Sequence, residues 1–470
     1  MFAAIANTFS NCFKIPELKS RIFFTLIVLA ICRLEAVVRI PGLNGAALAD
    51  FFNKSSQGGA GVLGMYSLFT GGALEHCAIG ALGIMPYISA TIIVQLLTAV
   101  VPAWSKLARE EGGRTKLIQM GRYLTVLLCL GQGLFLAMQY EDPTRIFGSG
   151  APNLVLYSNI FLYRLQTVLI LTTGTMLLMW LGEQITERGI GNGVSLVITI
   201  GILARLPAAG RGLQDMFFPP HRDAQFNFGH AIALLFLLAG VIAGVIAITQ
   251  AQRKVPVQYA QRVVGRKVLA GGTSFMPLRV NYSGVMPIIF AQAILMFPQK
   301  VFQWFGTTLT APKSSAFASY LGHGFIKIAG ALNAGAPTYY LIYTLMILFF
   351  SYFWVATQFN ELQIADDLKK NGGYIPGVRP GQATADYLHN AMSRITLAGA
   401  IFLTVIAVIP VLLADSMRPP VPINVATFFG GTSMLIMVGV LLDTMRQMET
   451  HLLMRHYDGF LKKGKLRGRF

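Results

Sequence analysis

"LGIMPYISATIIVQLL", Leu82 to Leu97, is apolar enough to lie in a membrane, yet a proline stands near its start. The stretch "SGVMPIIFAQAILMFP", Ser283 to Pro298, repeats the frame Gly, β-branched residue, Met, Pro, any residue, Ile. Two apolar segments sharing one opening point to a chain assembled from two related halves.

The composition around them sets the solvent. Of 470 residues, 54% are hydrophobic and 12% are charged, and the mean hydropathy is +0.58. Soluble domains carry about 25% charged residues. Runs such as "RYLTVLLCLGQGLFLAMQY" and "TYYLIYTLMILFFSYFWVATQF" reach the roughly 20 residues that a helix needs to cross the hydrocarbon core. The chain therefore reads as an all-α polytopic membrane protein. Ten spans are predicted, at 21–39, 82–101, 122–141, 160–182, 190–206, 230–250, 284–300, 338–359, 394–414 and 424–443. No cleavable signal peptide is evident: "KIPELKSRIFFTLIVLAICRLEAVV" reads as a first span behind a basic segment. Cys12, Cys32, Cys77 and Cys129 are dispersed without a CxxC pair, as reduced thiols in apolar surroundings would be.

The net charge of +18 must sit outside the bilayer. With the N-terminus cytosolic, 26 of the 38 Lys and Arg residues fall on the cytosolic side, as the positive-inside rule requires. Both termini are then cytosolic. The segments of the opposite side, such as "GTTLTAPKSSAFASYLGHG", are long and poor in charge, and read as loops or short interfacial pieces. The repeated Gly-x-Met-Pro element falls in the second span of each set of five. Five is odd, so the two halves, 1–206 and 207–470, must cross in opposite directions. An inverted repeat places its working site at the interface of the halves.

Three stretches could carry function. Gly58 to Gly83 is studded with glycine and holds Glu75 and His76. Each glycine costs a helix about 1 kcal/mol relative to alanine, so the segment is either a structural re-entrant loop or a mobile stopper. Ile84 and Ile88, four apart, share a helix face, and Ile289 repeats Ile88. Such isoleucines are ordinarily packing residues, and matter beyond that only where they line a pore as an apolar gasket. The third is a pair of basic cytosolic segments. "RKVPVQYAQRVVGRKVLAGGTSFMPLRVN" has no acid, and "YIPGVRPG" sets Arg379 between two Pro-Gly pairs that favour turns. These are either topology anchors or docking surfaces for an anionic partner.

Absences narrow the chemistry. No Asp, Glu, Lys or His falls in the middle of a predicted span, which counts against an ion-coupled carrier. There is no GxxxxGK[ST] loop, no HExxH and no arguable Ser–His–Asp set, so no enzyme, cofactor or metal is expected. The alternative function is an inverted-repeat secondary transporter.

"FTGGAL", "ALGIMPYISATIIVQLLT", "ERGIGNGVS", "ILMFP", "YIPGVRPG" and "GGTSMLI" closely resemble the SecY/Sec61 alpha family, and the likeness runs over nearly the whole chain. The resemblance implies ten helices in two inverted five-helix halves around an hourglass pore. It further implies a channel for unfolded secretory polypeptides that also releases membrane helices sideways. Ile84, Ile88, Ile198, Ile289 and Ile436 would form the pore ring. The plug would span about 61–77, including Gly64, Phe69, Gly71, Gly72 and Leu74. The lateral gate would carry Pro86, Thr91, Gln95, Pro287, Gln292 and Phe297. Docking loops at about 251–282 and 360–393 would present Arg253, Lys254, Arg262, Arg266, Lys267 and Arg379 to a SecA motor or to the ribosome. SecE and SecG subunits, signal sequences, nascent polypeptides and membrane lipid complete the implied partners, in a bacterial cytoplasmic membrane. The two prolines would either hinge the gate helices or simply occupy a helix first turn.

Overall fold

The computed structural model describes residues 15–55, 70–110, 112–143, 154–218, 226–259, 262–264, 267–269, 272–310, 316–333, 336–416, 425 and 431–463. The chain divides into two compact units, 1–223 with 422–428 and 436–470, and 224–421 with 429–435.

In the first unit, α1 (Pro16–Glu35) and α2 (Gly45–Ser55) precede a 3-10 turn, Ile79–Leu82. Then come α3 (Met85–Val100), α4 (Pro102–Arg109), α5 (Gly113–Glu141), α6 (Ile160–Arg188), α7 (Gly193–Leu203) and α8 (Leu206–Phe217). Helices α5 and α6 form a hairpin, α3 packs on α5, and α1 and α7 pack on α6. The second unit holds α9 (Phe228–Gln250), α10 (Met286–Leu309), α11 (Ala316–Ala331), α12 (Pro337–Gln358), α13 (Glu361–Lys370) and α14 (Gln382–Ser416). The last helix, α15 (Gly431–Lys463), lies from residue 436 onward in the first unit. There Met445 and Met448 pack with Leu18 and Ile190.

Each of the ten predicted spans overlaps a helix among the described residues, although several helices run longer and much of the start of the tenth span lies outside the described residues. Among the described residues, six helical segments are long and apolar enough to cross a membrane alone, and α3 with α4 would be a seventh, bent by 104°. The break falls at Pro102, where a proline begins the next helix.

Polar ends clasp the α5–α6 hairpin. Arg122 donates to both carboxylate oxygens of Glu183 at 3.2 and 2.7 Å, and Arg164 does the same to Glu141 at 2.7 Å twice. Nineteen residues separate Arg122 from Glu141, and nineteen separate Arg164 from Glu183. At 1.5 Å per residue that is about 28 Å, close to the thickness of a hydrocarbon core.

Two expectations need correction. The first basic segment is folded into strands, β1 (Gln252–Tyr259), β2 (Arg262–Val264), β3 (Lys267–Leu269) and β4 (Thr273–Arg279), not left as a loop. In the second basic segment β5 (Gly373–Tyr374) pairs with β1, so both belong to one sheet of order β4-β1-β5. Strand alternation turns Val255 and Val257 inward, and Val255 packs against Val355, Phe359 and Leu388 of α12, its C-cap and α14. The charge-poor side, read as loops or short interfacial pieces, contains the helices α2, α8 and α11. Helix α11 crosses α10 closely: a Cβ on Gly322 would lie 3.0 Å from the Gly306 carbonyl oxygen.

Candidate functional site

The repeated motif folds identically in both units. Gly83 and Gly284 take φ of +58° and +63°, a left-handed conformation that glycine adopts without steric cost. The next residues, Ile84 (φ −91°, ψ 0°) and Val285 (φ −95°, ψ −5°), are the N-caps of α3 and α10. Met is then the first helical residue and Pro the second. At that position the missing proline N–H had no intrahelical acceptor to lose. Pro86 and Pro287 therefore start their helices and interrupt neither. The first i→i−4 bond in each helix comes from the isoleucine of the motif, Ile88 N–H to Ile84 O at 3.2 Å and Ile289 N–H to Val285 O at 3.3 Å.

Ile84, Ile88, Ile198 and Ile436 belong to the first unit and Ile289 to the second. Their exposures are 2, 3, 1, 0 and 1% respectively, so none of the five faces outward. Ile84 lies against α6, where a Cβ on Gly182 would sit 3.8 Å from its Cδ1. The stretch "GIGNGVS" sets this corner. Gly191 is left-handed at φ +92°, Asn192 caps α7 by accepting from the Ser195 N–H, and Gly193 closes on Gly182. A Cβ on Gly193 would come within 1.8 Å of the Gly182 carbonyl oxygen.

Of the expected plug residues, Gly64 and Phe69 lie outside the described residues. Gly71, Gly72 and Leu74 form a turn, Thr70–Cys77, built into the first unit. Gly71 and Gly72 are left-handed at φ +62° and +89°. Ala73, Leu74 and Cys77 are completely buried, and the Tyr140 hydroxyl donates to the Leu74 carbonyl at 3.5 Å. A cavity of about 30 Å³, room for a single water, borders Arg33, Glu35, Thr70, Ile84 and Gly201. Both carboxylate oxygens of Glu35 are buried with no hydrogen-bond partner. The sequence places Glu35 at the end of a span, and nothing in its neighbours announces this burial.

Along the expected gate helices, Thr91 donates to the carbonyls of Tyr87 and Ile88 at 3.0 and 2.8 Å, and Gln95 is half-buried. Gln292 is 3% exposed with Oε1 unpaired. Phe297 lies in α10, and its side chain is outside the described part of the structure.

Arg253 and Lys254 are exposed on β1, the central strand of the sheet. Arg262 and Lys267 fall on β2 and β3, which pair from Arg262↔Leu269 to Val264↔Lys267. Arg266 lies outside the described residues. Arg379 is exposed between Gly377 (φ +81°) and Gly381 (φ +101°). The Val378 N–H donates to Ile375 O at 3.1 Å, closing a turn with Pro376 and Gly377 in its middle, the arrangement of a type II turn. The Thr384 hydroxyl donates to Arg379 O at 2.9 Å. The arginine backbone is thus fixed while its side chain stands in solvent.

The residues that sequence reasoning missed are Arg33 and Arg205. Arg33 reaches the Gly71 carbonyl and Arg205 pairs with Glu75. Their only signal was a charge at the end of a span, which reads equally well as a topology anchor.

Comparison with known proteins accounts for this arrangement. The family model described as SecY matches residues 78–445. The protein translocase subunit SecY of Chlamydia muridarum is 41% identical over 469 residues, covering 98% of this chain and 99% of that one. Those of Thermotoga maritima and Vibrio cholerae are 40% and 42% identical, over 98% and 97% of this chain and 99% and 96% of theirs. Among solved structures, one described as the structure of a protein conducting channel aligns with a TM-score of 0.58 at 16% identity, over 92% of each chain. Sec61 in the canine ribosome-channel complex aligns at 0.55, also at 16% identity and over 92% of each chain. The structural likeness carries the fold, the sequence relatives carry the family, and by both the chain belongs to the SecY family.

Proposed function

We propose that the chain is the channel subunit through which unfolded polypeptides cross a membrane and from which apolar helices leave sideways. The observation that carries this is the twin Gly-x-Met-Pro opening, which presents a buried isoleucine at the same helical position in each unit. Ile84, Ile88, Ile198, Ile289 and Ile436 serve as the ring. Their side chains are apolar and flexible, so they close around any passing chain without a polar group that could trap it. The division into halves near residue 206, the plug at about 61–77 and the gate helices are part of the same proposal. A transporter is disfavoured, because the spans carry no charge at mid-depth and the relatives are translocase subunits.

The chain is a membrane protein. Its finer placement, in a bacterial cytoplasmic membrane with both termini cytosolic, is supported by the bias of Lys and Arg. Arg253, Lys254, Arg262, Arg266, Lys267 and Arg379 would then face the cytosol as a contact for SecA or the ribosome; Arg253 and Lys254 stand on the three-stranded sheet, Arg262 and Lys267 on the separate β2-β3 pair and Arg379 on the pinned turn. SecE and SecG would complete the assembly. Energy for transport comes from the motor or from synthesis.

The test is reconstitution of the chain with SecE, SecG and SecA in vesicles, scored by protease protection of an unfolded precursor. Precursor should enter with ATP, and Ile88→Asn or Ile289→Asn should raise resting ion conductance. Small-solute uptake driven by an ion gradient, with no polypeptide entry, would replace the channel with the transporter.

A further inference from the structure

The turn Thr70–Cys77 is tied down by two cations from separate helices. From the end of α1, Arg33 donates through both Nη1 and Nη2 to the Gly71 carbonyl at 3.2 Å. Just beyond α7, Arg205 makes an ion pair with Glu75. The side chains of that pair are 14 and 22% exposed, so water screens them little. Gly71 is pressed so closely between Arg33 and the α7 backbone that a Cβ there would lie 2.3 Å from Arg33 Nη1 and 2.9 Å from Gly201 Cα.

The placement is selective. Glu75 is the only acid between Asp50 and Glu110, and it lies on a segment that Arg33 and Arg205 both reach. The α1 and α7 helices pack on each other as well as on α6, so the two cations approach from a single wall of the first unit. A partly buried ion pair contributes most when broken, because the partner left behind keeps its desolvated charge. That is the property required of a latch, which must resist weak pulls and give way once to a strong one.

We propose that Arg33 and Arg205 are positioning residues that latch the root of the plug, and that the Glu75–Arg205 pair sets how strong a signal sequence must be to open the channel. The inference rests on the channel function proposed above.

The test uses the full chain, reconstituted with its partner subunits, carrying Glu75→Gln, Arg205→Gln, or the exchange of both charges, Glu75→Arg with Arg205→Glu. Glu75→Gln keeps the side-chain shape, so loss of charge is separated from loss of packing. Three quantities are read: amide hydrogen exchange across 70–78, resting ion conductance, and entry of a precursor with a defective signal sequence. Each single variant should exchange about tenfold faster in this turn, leak more and accept the defective signal. The exchanged pair should return all three towards the parent. Singles that match the parent, or an exchanged pair as loose as the singles, would overturn the latch. If the parent protein fails to pass even an intact precursor, the channel function fails. The exchange measurement still decides the latch, since it needs no transport.

Discussion

Gly71→Ala tests the seat of the proposed plug root at a single methyl group. At φ +62° an alanine pays about 1–2 kcal/mol for the left-handed backbone. Its Cβ would also lie 2.3 Å from Arg33 Nη1 and 2.9 Å from Gly201 Cα. The guanidinium can swing aside on its flexible stem, but doing so gives up its bonds to the Gly71 carbonyl, worth about 1.5–3 kcal/mol for a charged donor. The Gly201 backbone cannot swing, so the turn itself must shift. Together the closed state should lose about 3 kcal/mol, a population change of about a hundredfold. Gly72→Ala is the control. Its φ is +89°, yet no heavy atom lies within 4 Å of the added Cβ, so only the backbone cost of about 1–2 kcal/mol remains. Potassium release from proteoliposomes, normalised to channel number, should rise about tenfold more for Gly71→Ala than for Gly72→Ala. Equal leakage from the two, or a leakier Gly72 variant, would refute the reasoning, because the neighbours of Gly71 would then contribute nothing.

Arg379→Glu should leave folding and membrane insertion intact while abolishing SecA-driven precursor entry, since only the exposed side chain changes; normal entry in the same vesicle assay removes its docking role. Gly193→Ala should lower thermal stability in detergent by more than about 2 kcal/mol, because the new methyl would overlap the Gly182 carbonyl; an unchanged melting temperature means that α6 and α7 part freely. Pro86→Ala with Pro287→Ala should leave conductance and signal acceptance at parent levels, because both prolines occupy a first turn. Altered gating in that double variant would restore their role as hinges.

The helices were legible because their signal is local: twenty or so apolar residues cannot be satisfied outside a membrane in any other way. The twin motif was legible for a related reason, since Gly and Pro in fixed order dictate a backbone path. Strand β1 was not, because its edge partner is Tyr374, more than a hundred residues away, and β5 has only two residues. Pro256 also argues against a central strand; the structure tolerates it because β5 pairs only with Gln258 and Tyr259. Helix α11 hid behind glycines, which lower helix propensity but here allow Gly306 and Gly322 to approach closely. The ties of Arg33 and Arg205 to the turn Thr70–Cys77 were invisible, because a lone arginine at a span end carries the same charge whether it meets lipid headgroups or a polar group of another segment.

The paired clasps of the α5–α6 hairpin act as a gauge. Arg122–Glu183 and Arg164–Glu141 lie about 28 Å apart along their helices, and each arginine side chain is more than 40% exposed, so both ends belong in polar surroundings. A thicker lipid sheet would draw at least one clasp into oil unless the sheet thinned locally around it; a thinner one would make the hairpin lean. Either response costs a fraction of a kcal/mol per ångström. Membrane width is thus written into the protein as the distance between two pairs of opposite charges.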